Sequence, residues 1–153
     1  MKTFVGERLY LRQMTEADAT ERYASWLNDP EVNKYLQTKR ATVQELRDYI
    51  VKKNAQSDYL FCGVFLKEND RHIGTVRLEA IDTVNKKANI GILIGEKEEW
   101  GKGLGAEAMH ILMEYCFNEL GLTEIELGVL AQNTRAIKSY EGLGFKEVRR
   151  VPG

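Results

Sequence analysis

Three glycines alternate with other residues in one short turn, Gly101-Lys102-Gly103-Leu104-Gly105. Glycine adopts positive φ angles and lets the backbone come close to a ligand. The apolar residues that follow recur at helical spacing, so free N–H groups and the positive end of a helix dipole would face the turn. Lys102 adds a cation. The pattern predicts an anion-binding site, and a pyrophosphate group is the ligand that suits it best.

Other interpretations of this turn stay open when it is taken alone. A tight strand-to-helix connection would use the same glycines without binding anything. The spacing Gly101-x-Gly103-x-x-Ala106 fits the dinucleotide fingerprint by letter, but that fingerprint follows its strand directly, and here Glu96 to Trp100 intervene. A P-loop would need Gly-Lys-Ser or Gly-Lys-Thr, which is absent.

The elements that would position the turn follow from alternation, capping residues and turn residues, in the order β-α-α-β-β-β-α-β-α-β. The run from Ala88 to Gly95 is apolar at nearly every position, which predicts a central strand covered on both faces. The other predicted elements are a strand at Arg8–Gln13, helices at Glu16–Leu27 (behind Thr15) and Thr42–Asn54, a hairpin of Tyr59–Leu66 and Ile73–Ile81, a helix from Leu104 that stops before Gly121, a strand at Glu124–Leu130, a helix capped by Asn133 or Thr134 that ends near Leu143, and a strand at Phe145–Val151.

The composition of the chain argues against several classes of protein. The 153 residues suit one domain, and 43% hydrophobic residues with a net charge of -1 give no general attraction to nucleic acid or a membrane. No signal-peptide pattern opens the chain, so we expect a cytoplasmic protein. Cys62 and Cys116 lie in apolar segments without C-x-x-C spacing, which favours free core thiols over a metal site or disulfide. No Ser-His or Cys-His pattern indicates covalent catalysis.

Two segments resemble the GNAT superfamily of acyl-CoA N-acyltransferases. Trp100 to Ala108 resembles the family's Gln/Arg-x-x-Gly-x-Gly/Ala pyrophosphate loop, and Asn133 to Phe145 resembles its Asn-x-x-Ala-x-x-x-Tyr-x-x-x-Gly-Phe segment. Two segments near the start of the chain, Arg8–Arg12 and Trp26–Val32, resemble the branch of the family that acetylates N-terminal amines of ribosomal proteins. That branch also contains sugar-nucleotide and antibiotic acetylases. The resemblance implies a GNAT-like α/β domain over residues 1–153, with a mixed, mostly antiparallel sheet flanked by helices.

The same resemblance implies acetyl-CoA as the acyl donor and direct attack by an amine. Tyr140 matches the family's general acid, although its helical position also suits a core residue. Arg135 and Lys138 could approach the adenosine phosphates, or be ordinary surface charges. The implied donor site comprises the strand residues Ile92, Leu93 and Ile94, the turn and helix residues Trp100, Gly101, Lys102, Gly103, Leu104, Gly105 and Ala106, and Asn133.

Three departures from the family pattern matter. Asn89 stands where several relatives carry a glutamate base, and an amide cannot accept a proton at pH 7. Glu79 or Asp82 could serve instead through water, or be merely solvated acids. Trp100 replaces a Gln or Arg, which removes a side-chain donor. The chain ends at Pro152-Gly153, where relatives usually add a strand, so a partner protomer in a homodimer, an open edge or a shortened chain would each account for the end.

These observations leave three functions. The first is an N-acetyltransferase for a small-molecule amine such as a nucleotide-linked amino sugar. The second is an N-terminal protein acetyltransferase, and the third is a non-catalytic acetyl-CoA-binding module. We expect the acceptor between the first two helices and the loops near Tyr35, Leu36 and Glu79, with no metal, nucleic acid or membrane involved.

Overall fold

A computed structural model of the chain describes residues 3–34, 40–128 and 133–146. Within these ranges it contains six strands and four α-helices. In chain order they are β1 (Thr3–Val5), β2 (Leu9–Gln13), α1 (Glu21–Asn28), α2 (Val43–Asn54), β3 (Leu60–Leu66), β4 (His72–Asp82), β5 (Lys87–Ile94), α3 (Leu104–Asn118), β6 (Glu124–Glu126) and α4 (Thr134–Gly142).

The six strands form one open sheet in chain order from β1 to β6. Every neighbouring pair is antiparallel except β5 and β6, which run parallel and are joined through α3. A parallel pair needs such a crossover because the chain must return to the same end of the sheet. The predicted mixed, mostly antiparallel sheet with flanking helices is confirmed.

The two faces of the sheet bury separate apolar clusters. On one face α3 contributes residues such as Leu104 and Leu112, and on the other α1 and α2 contribute residues such as Trp26 and Ile50. Both cysteines are free and buried. Burial raises the pKa of the Cys62 thiol to about 12 and that of Cys116 to about 11, so neither is a ready nucleophile.

The first helix begins later than its sequence pattern predicts, so that boundary was wrong. Glu16–Asp18 forms a single 3-10 turn, and α1 starts after Thr20, whose hydroxyl accepts a hydrogen bond from the Tyr23 N–H. The Asp18 carboxylate is held by the guanidinium of Arg12 at 2.8 Å. This ion pair joins residues only six apart in the chain and holds Asp18 in the short turn, separate from α1.

A second difference is the short strand β1, which the sequence did not reveal because three residues are too few for a periodic pattern. β6 is described only as Glu124–Glu126. Leu130 and most of the predicted strand at Phe145–Val151 lie outside the described residues. Within the described ranges, no helix combines the length and apolar character that crossing a bilayer requires.

The free energy of unfolding should depend on pH through His72. Its ring packs 4.7 Å from the ring of Phe65 and 4.9 Å from that of Trp26, and burial lowers its pKa to about 4. The ordinary histidine pKa is about 6.5. Between pH 4 and pH 6.5, His72 binds a proton in the unfolded chain but not in the folded chain, so lowering the pH favours unfolding.

We therefore expect His72 to remove up to about 3 kcal/mol of stability as the pH falls from about 6.5 to 4. Urea unfolding at several pH values measures this dependence. His72→Phe should flatten it over that window, whereas His110→Phe, which alters an exposed histidine on α3, should not. Equal slopes in the wild type and His72→Phe would contradict the assignment.

Candidate functional site

The glycine turn lies immediately before α3 and is open to solvent. Gly101 and Gly103 have φ angles of 79° and 76°, which side chains rarely tolerate. A Cβ on Gly101 would meet nothing within 4 Å. Gly103 is the N-cap of α3 and has no side chain to cap the helix, so the N–H groups of its first turn are available to a ligand. This geometry fits a pyrophosphate.

The third glycine of the turn joins the helix start to the sheet. A Cβ on Gly105 would lie 3.5 Å from Cγ1 of Ile94 and 3.8 Å from Cγ1 of Ile92. The side chains of both isoleucines pack toward α3, whereas Leu93 packs toward α1. The side chains of the predicted strand residues therefore serve the core, and a ligand would meet their backbone.

The described pairing of β5 with β6 covers three residue pairs. Their pairing runs from Lys87 opposite Glu124 to Asn89 opposite Glu126. Within the described residues, nothing pairs with the backbone of Gly91–Ile94 on that side. This splayed edge ends beside the first turn of α3, and an extended thioester arm could pair with it as the resemblance implies.

Trp100 has a structural role besides its predicted place in the donor site. Its indole N–H donates to the Ile94 carbonyl oxygen at 2.8 Å. Trp100 thus ties the turn to the end of β5. Glu96 supports the same end, because it accepts hydrogen bonds from the Trp26 indole at 3.1 Å and from Arg71 at 3.1 Å.

Arg8 is a residue of this site that sequence reasoning missed. It precedes β2, and its guanidinium donates to the Lys102 carbonyl at 2.7 Å and to Glu107 of α3 at 2.7 Å. Its Nη2 lies 3.6 Å from the position of a Cβ on Gly103. Burial of the Glu107 carboxyl group raises its pKa, but hydrogen bonds from Arg8 outweigh this effect and hold that pKa below its ordinary value. The Lys102 ammonium pairs with Glu99 at 3.1 Å.

Replacing Arg8 should loosen the turn. We expect Arg8→Ala to raise the Kd for acetyl-CoA about tenfold, because it removes charge-assisted hydrogen bonds to two parts of the cradle. Calorimetry with acetyl-CoA measures the effect. Arg47→Ala, which removes an exposed arginine of α2, is the matched control and should bind as the wild type does. Equal affinities of the two variants would show that the brace has no role in binding.

The second motif lies on α4. Asn133 caps this helix by accepting a hydrogen bond from the Ala136 N–H at 3.3 Å. Tyr140 is half-buried against the cluster on the α3 side, with its ring 6.2 Å from that of Phe145. Its hydroxyl has no hydrogen-bond partner among the described residues. Burial raises its pKa while the charge of Arg77 opposes that rise, so the phenol keeps its proton at neutral pH.

The candidate bases differ in how free their carboxylates are. Glu79 of β4 is opposite Asn89 of β5, which is opposite Glu126 of β6, so the three share one face where the splay begins. The Glu79 side chain is 41% exposed and can reach water. Asp82 instead accepts bonds from the backbone N–H and side chain of Asn85, which lower its pKa and make it a turn residue.

Other predicted positions are not brought to the site. Tyr35 and Leu36, expected near the acceptor, lie outside the described residues, and so does the side chain of Arg135. Lys138 is exposed on α4. In the described part of the chain, no three His, Cys, Asp or Glu side chains are placed to share a metal ion.

Comparison with known proteins gives a consistent result. The acetyltransferase (GNAT) domain matches residues 8–146 of this chain. An uncharacterized N-acetyltransferase from Bacillus licheniformis is 37% identical over 151 residues, which are 96% of this chain and 84% of that protein. The human alpha/beta-tubulin-N-acetyltransferase 9 is 24% identical over 157 residues, covering 94% of this chain and 75% of the relative.

A solved structure extends the likeness to a complex with ligands. Spermidine N-acetyltransferase from Vibrio cholerae, crystallised with CoA and spermine, superimposes with a TM-score of 0.83 at 25% identity. The match covers 94% of this chain and 84% of that chain. The folds therefore agree over nearly the whole described sheet and its helices.

Proposed function

The chain belongs to the acetyltransferase (GNAT) family, and from that premise we propose that it moves the acetyl group of acetyl-CoA to a primary amine of a small molecule. One observation carries the proposal above the others. The open glycine turn at the start of α3 lies beside the end of β5, and Tyr140, whose hydroxyl is unpaired among the described residues, packs against the same apolar cluster. We assign them as a phosphate cradle, a backbone edge that pairs with the thioester arm, and a proton donor.

The donor would be held from its phosphates to its thioester. The N–H groups behind Gly103 suit a pyrophosphate, with Arg8 bracing the cradle from β2. The backbone of Ile92–Ile94 could pair with the amide groups of the pantetheine arm. Acetyl-CoA supplies an acyl group already activated as a thioester, so the protein needs no nucleophile of its own. The raised pKa values of both cysteines agree with that route.

The chemical step needs a proton to leave the amine and another to reach the sulfur. As the amine nitrogen bonds to the acyl carbon, the carbon–sulfur bond breaks, and Tyr140 would donate its hydroxyl proton to the departing thiolate. Backbone N–H groups at the end of β5 could stabilise the charge that develops on the carbonyl oxygen. Glu79, through water, would accept the amine proton in place of Asn89, which cannot.

Two classes of acceptor have support. The relative whose structure contains spermine acts on spermidine by its name, which supports a small-molecule amine for this chain as well. The sequence-based expectation of an amino sugar falls in the same class. The tubulin acetyltransferase among the relatives supports the second candidate, a protein N-terminus. We favour the small molecule because a solved structure that matches 94% of this chain at 25% identity is an enzyme of that type.

A panel of acceptors tests the proposal. Purified protein is incubated with acetyl-CoA and spermidine, glucosamine derivatives or peptides with free N-termini, and release of CoA thiol is measured. We expect thiol release with at least one small amine. Turnover of peptides alone would replace the proposal with the second candidate. Tight binding of acetyl-CoA without thiol release for any amine would identify a non-catalytic module.

A further inference from the structure

Arg77 of β4 lies where the side chain of its neighbour on β5 would normally be. Its partner across the sheet is Gly91. A Cβ on Gly91 would fall 2.5 Å from Cζ of Arg77, and 2.7 and 2.8 Å from its two Nη atoms. Any other residue at position 91 would displace the guanidinium. The glycine therefore lets Arg77 extend across β5 toward the splayed edge.

The guanidinium in this position has donors to spare. Within the described ranges its one ion pair is with Glu79, at 3.8 Å between Nε and Oε1, too long for a hydrogen bond. No described residue accepts a hydrogen bond from the guanidinium, and 38% of the Arg77 side chain is exposed. A planar cation with free paired N–H groups suits a carboxylate or phosphate, which it can bind in two places at once.

Arg77 lies on the face of the sheet where we expect the acceptor. Phe61 of β3 is its partner on the other side, so the row Phe61, Arg77 and Gly91 faces the α1 and α2 side of the sheet. The charge of Arg77 also acts on Tyr140, which packs from the opposite side. Arg77 therefore lies beside Glu79, and its charge also opposes the rise in the pKa of the proposed general acid. We expect the amine to react near this point.

We propose that Arg77 binds an anionic group of the acceptor, a phosphate or a carboxylate, while Glu79 faces its amine. The inference rests on the proposed function and specifies its substrate class. Because the two side chains adjoin, the acceptor would carry its amine and its anion only a few bonds apart. An amino sugar phosphate and an amino acid both meet this description, whereas a purely cationic polyamine does not.

Matched acceptors that differ only in the anion test the inference. Glucosamine is compared with glucosamine 1-phosphate, and an amino acid amide with the free amino acid, with spermidine as the cationic case. We expect kcat/KM for one anionic member to exceed that of its neutral partner about tenfold or more, the effect of charged hydrogen bonds. Which pair shows the preference distinguishes phosphate from carboxylate. This comparison requires no variant.

Substitutions then connect the preference to Arg77. Arg77→Gln should lower the ratio of anionic to neutral kcat/KM about tenfold, and Arg77→Lys should restore part of it. Arg47→Gln, on the exposed surface of α2, is the control and should keep the wild-type ratio. A folded Arg77→Gln protein with an unchanged ratio would overturn the inference.

Gly91→Ala provides a test that leaves the charge in the chain. Its methyl group would take the space of the guanidinium, so the ratio should fall as it does in Arg77→Gln. Gly128→Ala is the control, because a Cβ there meets nothing within 4 Å. Equal turnover of neutral and anionic amines, or preference for spermidine, would overturn this inference alone. Failure to acetylate any amine would overturn the proposed function with it.

Discussion

Gly103→Glu should abolish measurable binding of acetyl-CoA. Gly103 is the N-cap of α3, so a side chain at this position would enter the space in front of the free N–H groups. Arg8, whose Nη2 is 3.6 Å from a Cβ at position 103, would attract the new carboxylate into the cradle. The new carboxylate would repel the pyrophosphate of the cofactor. Repulsion between two negative charges about 4 Å apart costs about 4 kcal/mol at an effective dielectric constant of 20. Calorimetry should show affinity lower by about a thousandfold.

A second glycine provides a matched control for backbone strain. Gly121, beyond the end of α3, has a φ angle of 67°, and a Cβ there meets nothing within 4 Å. Gly121→Glu adds the same charge at a similar left-handed position, which costs about 1–2 kcal/mol of stability in either variant. We expect it to bind acetyl-CoA as the wild type does. Unchanged affinity in Gly103→Glu would show that the cofactor does not use this turn.

Tyr140→Phe should lower kcat about a hundredfold or more, the usual contribution of a positioned general acid. The substitution keeps the ring that packs against Phe145 and removes a hydroxyl that has no hydrogen-bond partner among the described residues. Stability should therefore change little. A rate lost with the melting temperature and the Kd for acetyl-CoA retained would separate catalysis from packing. Single-turnover measurement with saturating acetyl-CoA isolates the step.

The pH profile gives an independent check on the same residue. Because burial raises the pKa of Tyr140 above its ordinary value, loss of its proton should not lower kcat until the pH exceeds about 10. Tyr10→Phe is the control, since that hydroxyl binds Asp70 at 2.9 Å in a surface contact. If both variants keep the wild-type kcat, Tyr140 is a core residue and another group, or water, protonates the thiolate.

Local sequence patterns account for the cradle. Positive φ at Gly101 and Gly103 is a property of the residue type, and the apolar period after Leu104 predicts the helix behind them. The Thr42 capping box and the hairpin of β3 and β4 were likewise predicted and confirmed. In each case the interacting groups are close in the chain, so their spacing is enough to predict the structure.

The residues that complete the site depend on contacts that no local pattern contains. Arg8 and Glu107 are 99 residues apart, and their hydrogen bond exists only because β2 begins beside the first turn of α3. The bond from Trp100 to Ile94 likewise depends on how the chain turns back on β5.

The sequence by itself therefore predicted a phosphate site at the glycine turn and, through the family resemblance, the strand expected to guide the thioester. Only the tertiary structure decided which charged side chain lies across β5. Arg77 reaches the splay because its partner across the sheet is a glycine, and the pairing of β4 with β5 sets that partner. Strand register is a collective result of burying both faces of the sheet, and it cannot be deduced from either strand alone.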